Sequence, residues 1–220
     1  MKAVVIFGTG DIAQVAAYYL AHDGGREVAC FTVDRDYIAT NEFCARPVVP
    51  FEAVSEQYPP SDYDMLVAIG YANVNQIRAA KYQQAKDKGY CLCSYISPLA
   101  SVATNAVIGE NCFILEHNTL QPYVTIGNNV TLWSGNHIGH HVSIADHCFI
   151  SSHVVVSGGV TIEESCFIGV NATIRDHVVI GARNVIGAGA LMLGNTEPDG
   201  VYIGNATERS RIPSMRLKKI

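Results

Sequence analysis

Histidine titrates closer to neutral pH than any other unperturbed side chain, so a cluster of histidines is a natural place to look for proton transfer. The 220-residue sequence holds eight. Seven of them, His117, His137, His140, His141, His147, His153 and His177, fall inside or just past a stretch without Lys or Arg that runs from residue 89 to residue 174. A neutral imidazole in such surroundings can take the proton of an amine or hydroxyl as it attacks a carbonyl. Three imidazoles in reach of one another could instead hold zinc.

A repeat positions these histidines. Every sixth residue from Val102 to Ile186 is a branched aliphatic, fifteen in succession without a skip. Two places before each stands a small or modest residue, such as Ala106, Cys112, Val130, Cys148 or Cys166, which predicts a core position for these thiols rather than a nucleophile. Ordinary strands would drift out of phase within a few turns. A period of six fits three short strands joined by bends around a triangular prism, with one inward aliphatic per hexad. Eighteen residues then close one coil, and five coils at the sheet spacing make a rod of roughly 24 Å. Stacking by eighteen places His140 one coil below Gly158 and His141 below Gly159, a histidine under a diglycine whose corner is expected to point outward and leave a clear channel. His147 beside Asp146 reads as a solvated corner residue, and Trp133 and Tyr123 as packing at a subunit interface.

The first ninety-five residues follow another plan. An apolar strand over 3–8 runs into Gly8-Thr9-Gly10-Asp11, with Ala13 completing a GxGxxA turn, and a helix is predicted from Ile12 to Leu20. A second strand, Val28 to Val33, ends at Asp34-Arg35; a third, Met65 to Ile69, ends at Gly70, before a helix over 74–88. This is βαβαβ, half of a dinucleotide fold. The glycines let backbone N–H groups approach a phosphate at the helix start, and Asp34 can accept a hydrogen bond from the nucleoside. The hexads begin where a second half would stand, which excludes an NAD dehydrogenase. The expected domains are 1–95, nucleotide-binding and Rossmann-like; 96–205, the β-helix; and 206–220, a basic tail with Arg209, Arg211, Arg216, Lys218 and Lys219.

Along essentially its whole length this combination resembles the bacterial hexapeptide-repeat sugar acetyltransferases, in which a small nucleotide-binding domain precedes a left-handed parallel β-helix. They include N-acetyltransferases of UDP- or dTDP-linked amino-dideoxy sugars and related sialic-acid O-acetyltransferases. The resemblance implies left-handedness, a homotrimer, acetyl-CoA as co-substrate without a metal, and a nucleotide-linked amino sugar of surface-glycan biosynthesis as acceptor, with sialic-acid O-acetylation as the alternative. It matches the nucleotide contacts to Gly8, Thr9, Gly10, Asp11 and Asp34, with Arg35 where some relatives have a second acid. It matches the base to His140 in HIGHHVSI and the acetyl-CoA backbone contacts to Val170 and Ala188; a further family contact, a histidine, falls on Phe149. Relatives follow the base with an acid, whereas here His141 follows, so His141 stays open as the base, and Asp146 or a neighbouring subunit's Glu116 as the orienting acid.

Another class on the same prism is the γ-type carbonic anhydrase. Its zinc set would need third ligands at positions that here hold Gly158 and Ala182, so no metal is expected. The remaining chemistry is read against composition. A net charge of −5 argues against a nucleic-acid surface, and 49% apolar with 16% charged residues excludes disorder. No apolar run is long enough to span a membrane, and the opening MKAVVIFGTG is too short and too glycine-broken for a signal peptide. Seven cysteines without a CxxC pair read as reduced thiols of a cytoplasmic protein.

Overall fold

The computed structural model describes residues 1–216; Lys218 and Lys219 of the expected basic tail lie outside the described residues. The N-terminal unit is a five-stranded sheet formed by β1 (Ala3–Phe7), β2 (Val28–Val33), β3 (Glu42–Phe43), β4 (Arg46–Pro50) and β5 (Tyr63–Val67), in the order β3-β4-β2-β1-β5. All pairs are parallel except β3 with β4. The central strand AVVIF is apolar throughout because both its faces are covered. Val4 and Ile6 pack under α1 (Asp11–His22), while Val5 and Phe7 face α3 (Gln76–Asp87).

The expected βαβαβ is thus enlarged by β3, β4 and a short helix, α2 (Val54–Gln57). In RPVVP two prolines flank the only alternation-free apolar pair and suppress the strand signal. The strand forms nonetheless, because Val48 and Val49 pair with Phe31 and Thr32 of β2 close to the sheet edge.

From Tyr95 to Tyr202 the chain is a left-handed β-helix of two-residue strands. Each strand pairs in parallel with the one eighteen residues later, as Thr119 does with His137 and Phe149 with Phe167. Three walls result. Wall A runs from Ser101–Val102 to Leu191–Met192, wall B from Val107–Ile108 to Val179–Ile180, and wall C from Tyr95–Ile96 to Val201–Tyr202. The aliphatic frame therefore extends one hexad beyond each expected end, to Ile96 and Met192. From Leu120 to Ile186 the inward aliphatics are no more than 2% exposed, and Cys112, Cys148 and Cys166 lie with them in the core.

The N-terminal unit is docked on wall C. Tyr71 packs on Phe149 and Phe167 with ring centroids 5.0 and 4.6 Å apart, and Tyr19 and Tyr95 pack on Phe113. Arg78 of α3 is 1% exposed and reaches into the seam, donating to Thr131 Oγ1 (2.9 Å), Asn75 Oδ1 (3.1 Å) and the carbonyls of His147 (2.8 Å) and Cys148 (3.2 Å). Burial lowers its pKa to about 10, and it stays charged at neutral pH. Neutral acceptors engage its two terminal nitrogens, while Nε is left without a partner among the described residues, and the bonds to Thr131, His147 and Cys148 tie α3 to the β-helix.

Candidate functional site

The corners of the β-helix explain most of its histidines. In every hexad from Asn111 to Gly189 the third residue after the inward aliphatic has a positive φ, between 53° and 78°. Asn, His and Gly are the residues that tolerate the left-handed region best, so such a corner selects them. His117, His141, His147, His153 and His177 all occupy this column. His137 sits on a strand of wall A. His140 stands one place before the left-handed corner, in a column that otherwise carries Glu, Pro, Asn, Ser, Asp, Gly, Val and Ala. No turn geometry demands an imidazole there.

His140 and His141 lie together at the corner between walls A and B, both exposed. Their Nδ1 atoms are 3.1 Å apart, and the backbone N–H of His140 donates to Gln121 Oε1 at 2.9 Å. His141 stacks on Tyr123, with ring centroids 4.7 Å apart, and Tyr123 is otherwise exposed. Two Nδ1 atoms at hydrogen-bond distance share one proton. If His140 donates it, its Nε2 carries a free lone pair and can act as a base; if it accepts, its Nε2 carries the proton. Asp146 accepts from Asn128 and Glu116 from Tyr19 and Ser134, so within one chain both expected acids are engaged elsewhere.

Gly158 differs from its expected role. It is buried, and a Cβ there would meet His140 Cε1 and Nε2 at 2.6 Å. The diglycine corner is therefore a bed for imidazoles rather than an open channel: His140 lies on Gly158, and His177 on Gly159.

The second site lies at the C-terminal ends of β1, β2 and β5. Gly8, Thr9 and Asp34 line a cavity of about 360 Å³ with Tyr37, Ile69, Ile77 and Lys81. Gly10 caps α1 without a side-chain hydrogen bond, so the first-turn N–H groups face outward. Asp11 lines a separate cavity of about 420 Å³ between α1 and wall C, shared with Ile12, Trp133 and Val170. Gly70 packs near Ile12. Arg35 is exposed and lies outside the lining of the 360 Å³ cavity, its backbone N–H donating to Glu52. Lys81, Tyr37 and Ile77 had no distinguishing signal in sequence.

The bacterial transferase hexapeptide (six repeats) family matches residues 123–158 and 159–194. The fold is similar to a His-to-Asn variant of perosamine N-acetyltransferase from Caulobacter crescentus in complex with CoA and GDP-perosamine. That likeness has 26% identity and a TM-score of 0.83, over 93% of this chain and 94% of that one. Residues 123–194 carry the repeat of the hexapeptide transferases. The acetyltransferase domain of PglB from Neisseria gonorrhoeae, in complex with acetyl coenzyme A, shares the fold at 24% identity and a TM-score of 0.79, over 90% and 93% of the two chains. WeeI from Acinetobacter baumannii shares it at 16% identity and a TM-score of 0.71, over 93% and 97%. Comparison with curated protein sequences finds no match.

Val170 and Ala188 are exposed on the corner between walls C and A, not on the corner of His140. Phe149 is only 3% exposed and packs against Tyr71, Trp133 and the Arg78 guanidinium in the seam between the units, and it lines the 420 Å³ cavity together with Val170. Trp133 packs in the same seam. His147 is likewise not solvated; it lies partly buried beside Tyr82, with Nδ1 2.9 Å from Asn129.

Burial, opposed by the charge of Asp146, holds the His147 pKa below its ordinary 6.5. The unfolded chain therefore binds this proton more readily than the folded one. Stability is unaffected above the unfolded pKa and falls as the pH drops through 6.5 toward the depressed folded value. We expect urea midpoints to decline over that window, and His147→Asn to flatten the decline. An unchanged slope in the variant would assign the acid sensitivity to other groups.

Proposed function

We propose that the protein moves the acetyl group of acetyl-CoA to the amine of a nucleotide-linked amino-deoxy sugar, with His140 as general base. The observation that carries the reading is the off-frame imidazole: His140 is not required by the corner, rests on a glycine, and has its Nδ1 against His141. The relative with CoA and GDP-perosamine, itself a His-to-Asn variant, supports both ligand classes. In this reading residues 1–95 hold the nucleotide, with phosphate at the Gly8–Asp11 turn. The acceptor nitrogen attacks the thioester carbonyl, the C–N bond forms, and its proton passes to His140 Nε2. The C–S bond then breaks, and the imidazolium proton goes to the departing thiolate, giving the N-acetyl sugar and CoA thiol. His141 accepts from His140 Nδ1 and so keeps Nε2 unprotonated, the task an acid performs in relatives. No prism thiol is placed to carry the acyl group, since all three are in the core. A panel of UDP-, dTDP- and GDP-amino sugars with acetyl-CoA, read by free-thiol release, tests the substrate class.

Geometry also supports a site shared between copies. The nucleotide cavity belongs to the unit docked on wall C, whereas His140 lies on the corner opposite that wall. In a trimer of parallel prisms the His140 corner of one copy meets the Val170–Ala188 corner of the next, beside its 420 Å³ cavity. Two inactive variants, His140→Asn and Asp34→Ala, should then complement when co-expressed. Random mixing pairs an intact His140 with an intact nucleotide pocket in about one quarter of sites, so about a quarter of wild-type activity should return. A mixture as inactive as its parents would place both ligands within one chain.

A further inference from the structure

Lys81 stands inside the nucleotide cavity and pairs with the residue expected to bind the nucleoside alone. Its Nζ lies 2.7 Å from Asp34 Oδ1 and 2.9 Å from Gln84 Oε1, and sits over the rings of Phe7 and Phe51, 5.5 Å from each centroid. The pair is held back from solvent, the two side chains being 15% and 28% exposed. An ammonium has three donors and no acceptor. Two are committed, so one N–H remains for a ligand. Among the described residues Asp34 Oδ2 takes no hydrogen bond, so one acceptor oxygen remains beside it. Next to this polar pair, in the same cavity, Tyr37 and Ile77 are 74% and 46% exposed. Two apolar side chains left open around a partly buried donor–acceptor pair form a slot for a flat ring with a polar edge.

We infer that the Lys81–Asp34 pair reads the edge of the nucleobase and selects a keto base (guanine, uracil or thymine) over an amino base (adenine or cytosine). This rests on the reading of residues 1–95 as the nucleotide unit. A keto base offers a carbonyl oxygen beside an imide N–H; the carbonyl takes the free Lys81 proton and the N–H gives to Asp34. Both bonds are charge-assisted. An amino base in the same pose presents N–H where the carbonyl stood and a bare ring nitrogen where the N–H stood. Donor then faces ammonium and lone pair faces carboxylate.

Direct binding of GDP, UDP, dTDP, ADP, CDP and 2′-deoxy-GDP to the full chain tests this without acetyl-CoA or an amino sugar. The wild type should bind at least one keto nucleotide about ten- to a hundredfold tighter than ADP and CDP, the worth of a bond to a charged group. Lys81→Met and Asp34→Asn should each shrink that ratio to about twofold, while Lys81→Arg keeps part of it. A general folding defect would weaken all nucleotides together and leave the ratio intact, and that result overturns the inference. So does an amino-base preference, equal binding of all bases, or a loss confined to the 2′-deoxy nucleotide, which would assign the pair to the ribose. Failure of the wild type to bind any of the six would overturn the nucleotide reading and this inference together, and is distinct from every other outcome.

Discussion

Replacing His140 by asparagine should lower turnover by roughly 10²–10⁴, the usual worth of a positioned base, while both substrates still bind. Asparagine can offer an N–H where His140 Nδ1 meets His141, so the local hydrogen bond survives. It has no lone pair able to accept the amine proton at neutral pH. The loss should therefore appear in kcat, measured by thiol release at saturating substrates, with KM values close to wild type. His141 is the decisive control because the two rings are in contact. His141→Asn keeps an oxygen that can accept from His140 Nδ1 and should cost far less; His141→Leu removes the acceptor, frees the tautomer and should fall between the two. A dead His141→Asn beside a near-normal His140→Asn would exchange the roles of the pair.

How far the sequence could be read depended on whether a residue's role is set by its own coil or by its neighbours. The inward aliphatics were legible because every coil needs one at the same phase, and a skip would open the core. The Gly8–Asp11 turn was legible because strand, glycines and helix lie consecutively in sequence. The left-handed column was legible in principle, since Asn, His or Gly fills it at all but Tyr123, Ser165 and Arg183 between Asn111 and Gly189; weighing that turn chemistry would have set five histidines aside at once. What stayed hidden are the residues whose meaning comes from the other unit. His147 looks solvated until α3 brings Tyr82 over it, and Phe149 looks like a surface contact until Tyr71 covers it. Arg78 and Lys81 share a helix and a charge, yet one satisfies the seam between the units and the other faces the cavity. Strand β4 was missed for a different reason: its prolines are costly in a ladder interior and tolerable near an edge, which sequence alone does not locate.

The Gly158 bed leads to an expectation that separates catalysis from folding. A Cβ at residue 158 would sit 2.6 Å from two atoms of the His140 ring, closer than any real contact, so the ring must move. What has to move is an exposed side chain with rotatable bonds, and residue 158 does not need a left-handed backbone. Gly158→Ala should thus keep its melting temperature to within a few degrees, since surface rearrangements of this kind usually cost under about 0.5 kcal/mol. The displaced imidazole loses its register with His141 and with the acceptor, and a misplacement near 1 Å can cost about 10² in rate. Gly139 provides the contrast one coil below. There a Cβ would meet the backbone of Ser157 and Gly158 at 2.8 Å, so Gly139→Ala has to push whole coils apart. That variant should lose stability first, with activity falling only as the folded fraction falls. Thermal denaturation and kcat, measured side by side on the two variants, should move in opposite proportions. If Gly158→Ala retains full turnover, His140 does not act from its bed on Gly158; if it unfolds instead, the corner carries a packing load that an exposed imidazole does not reveal.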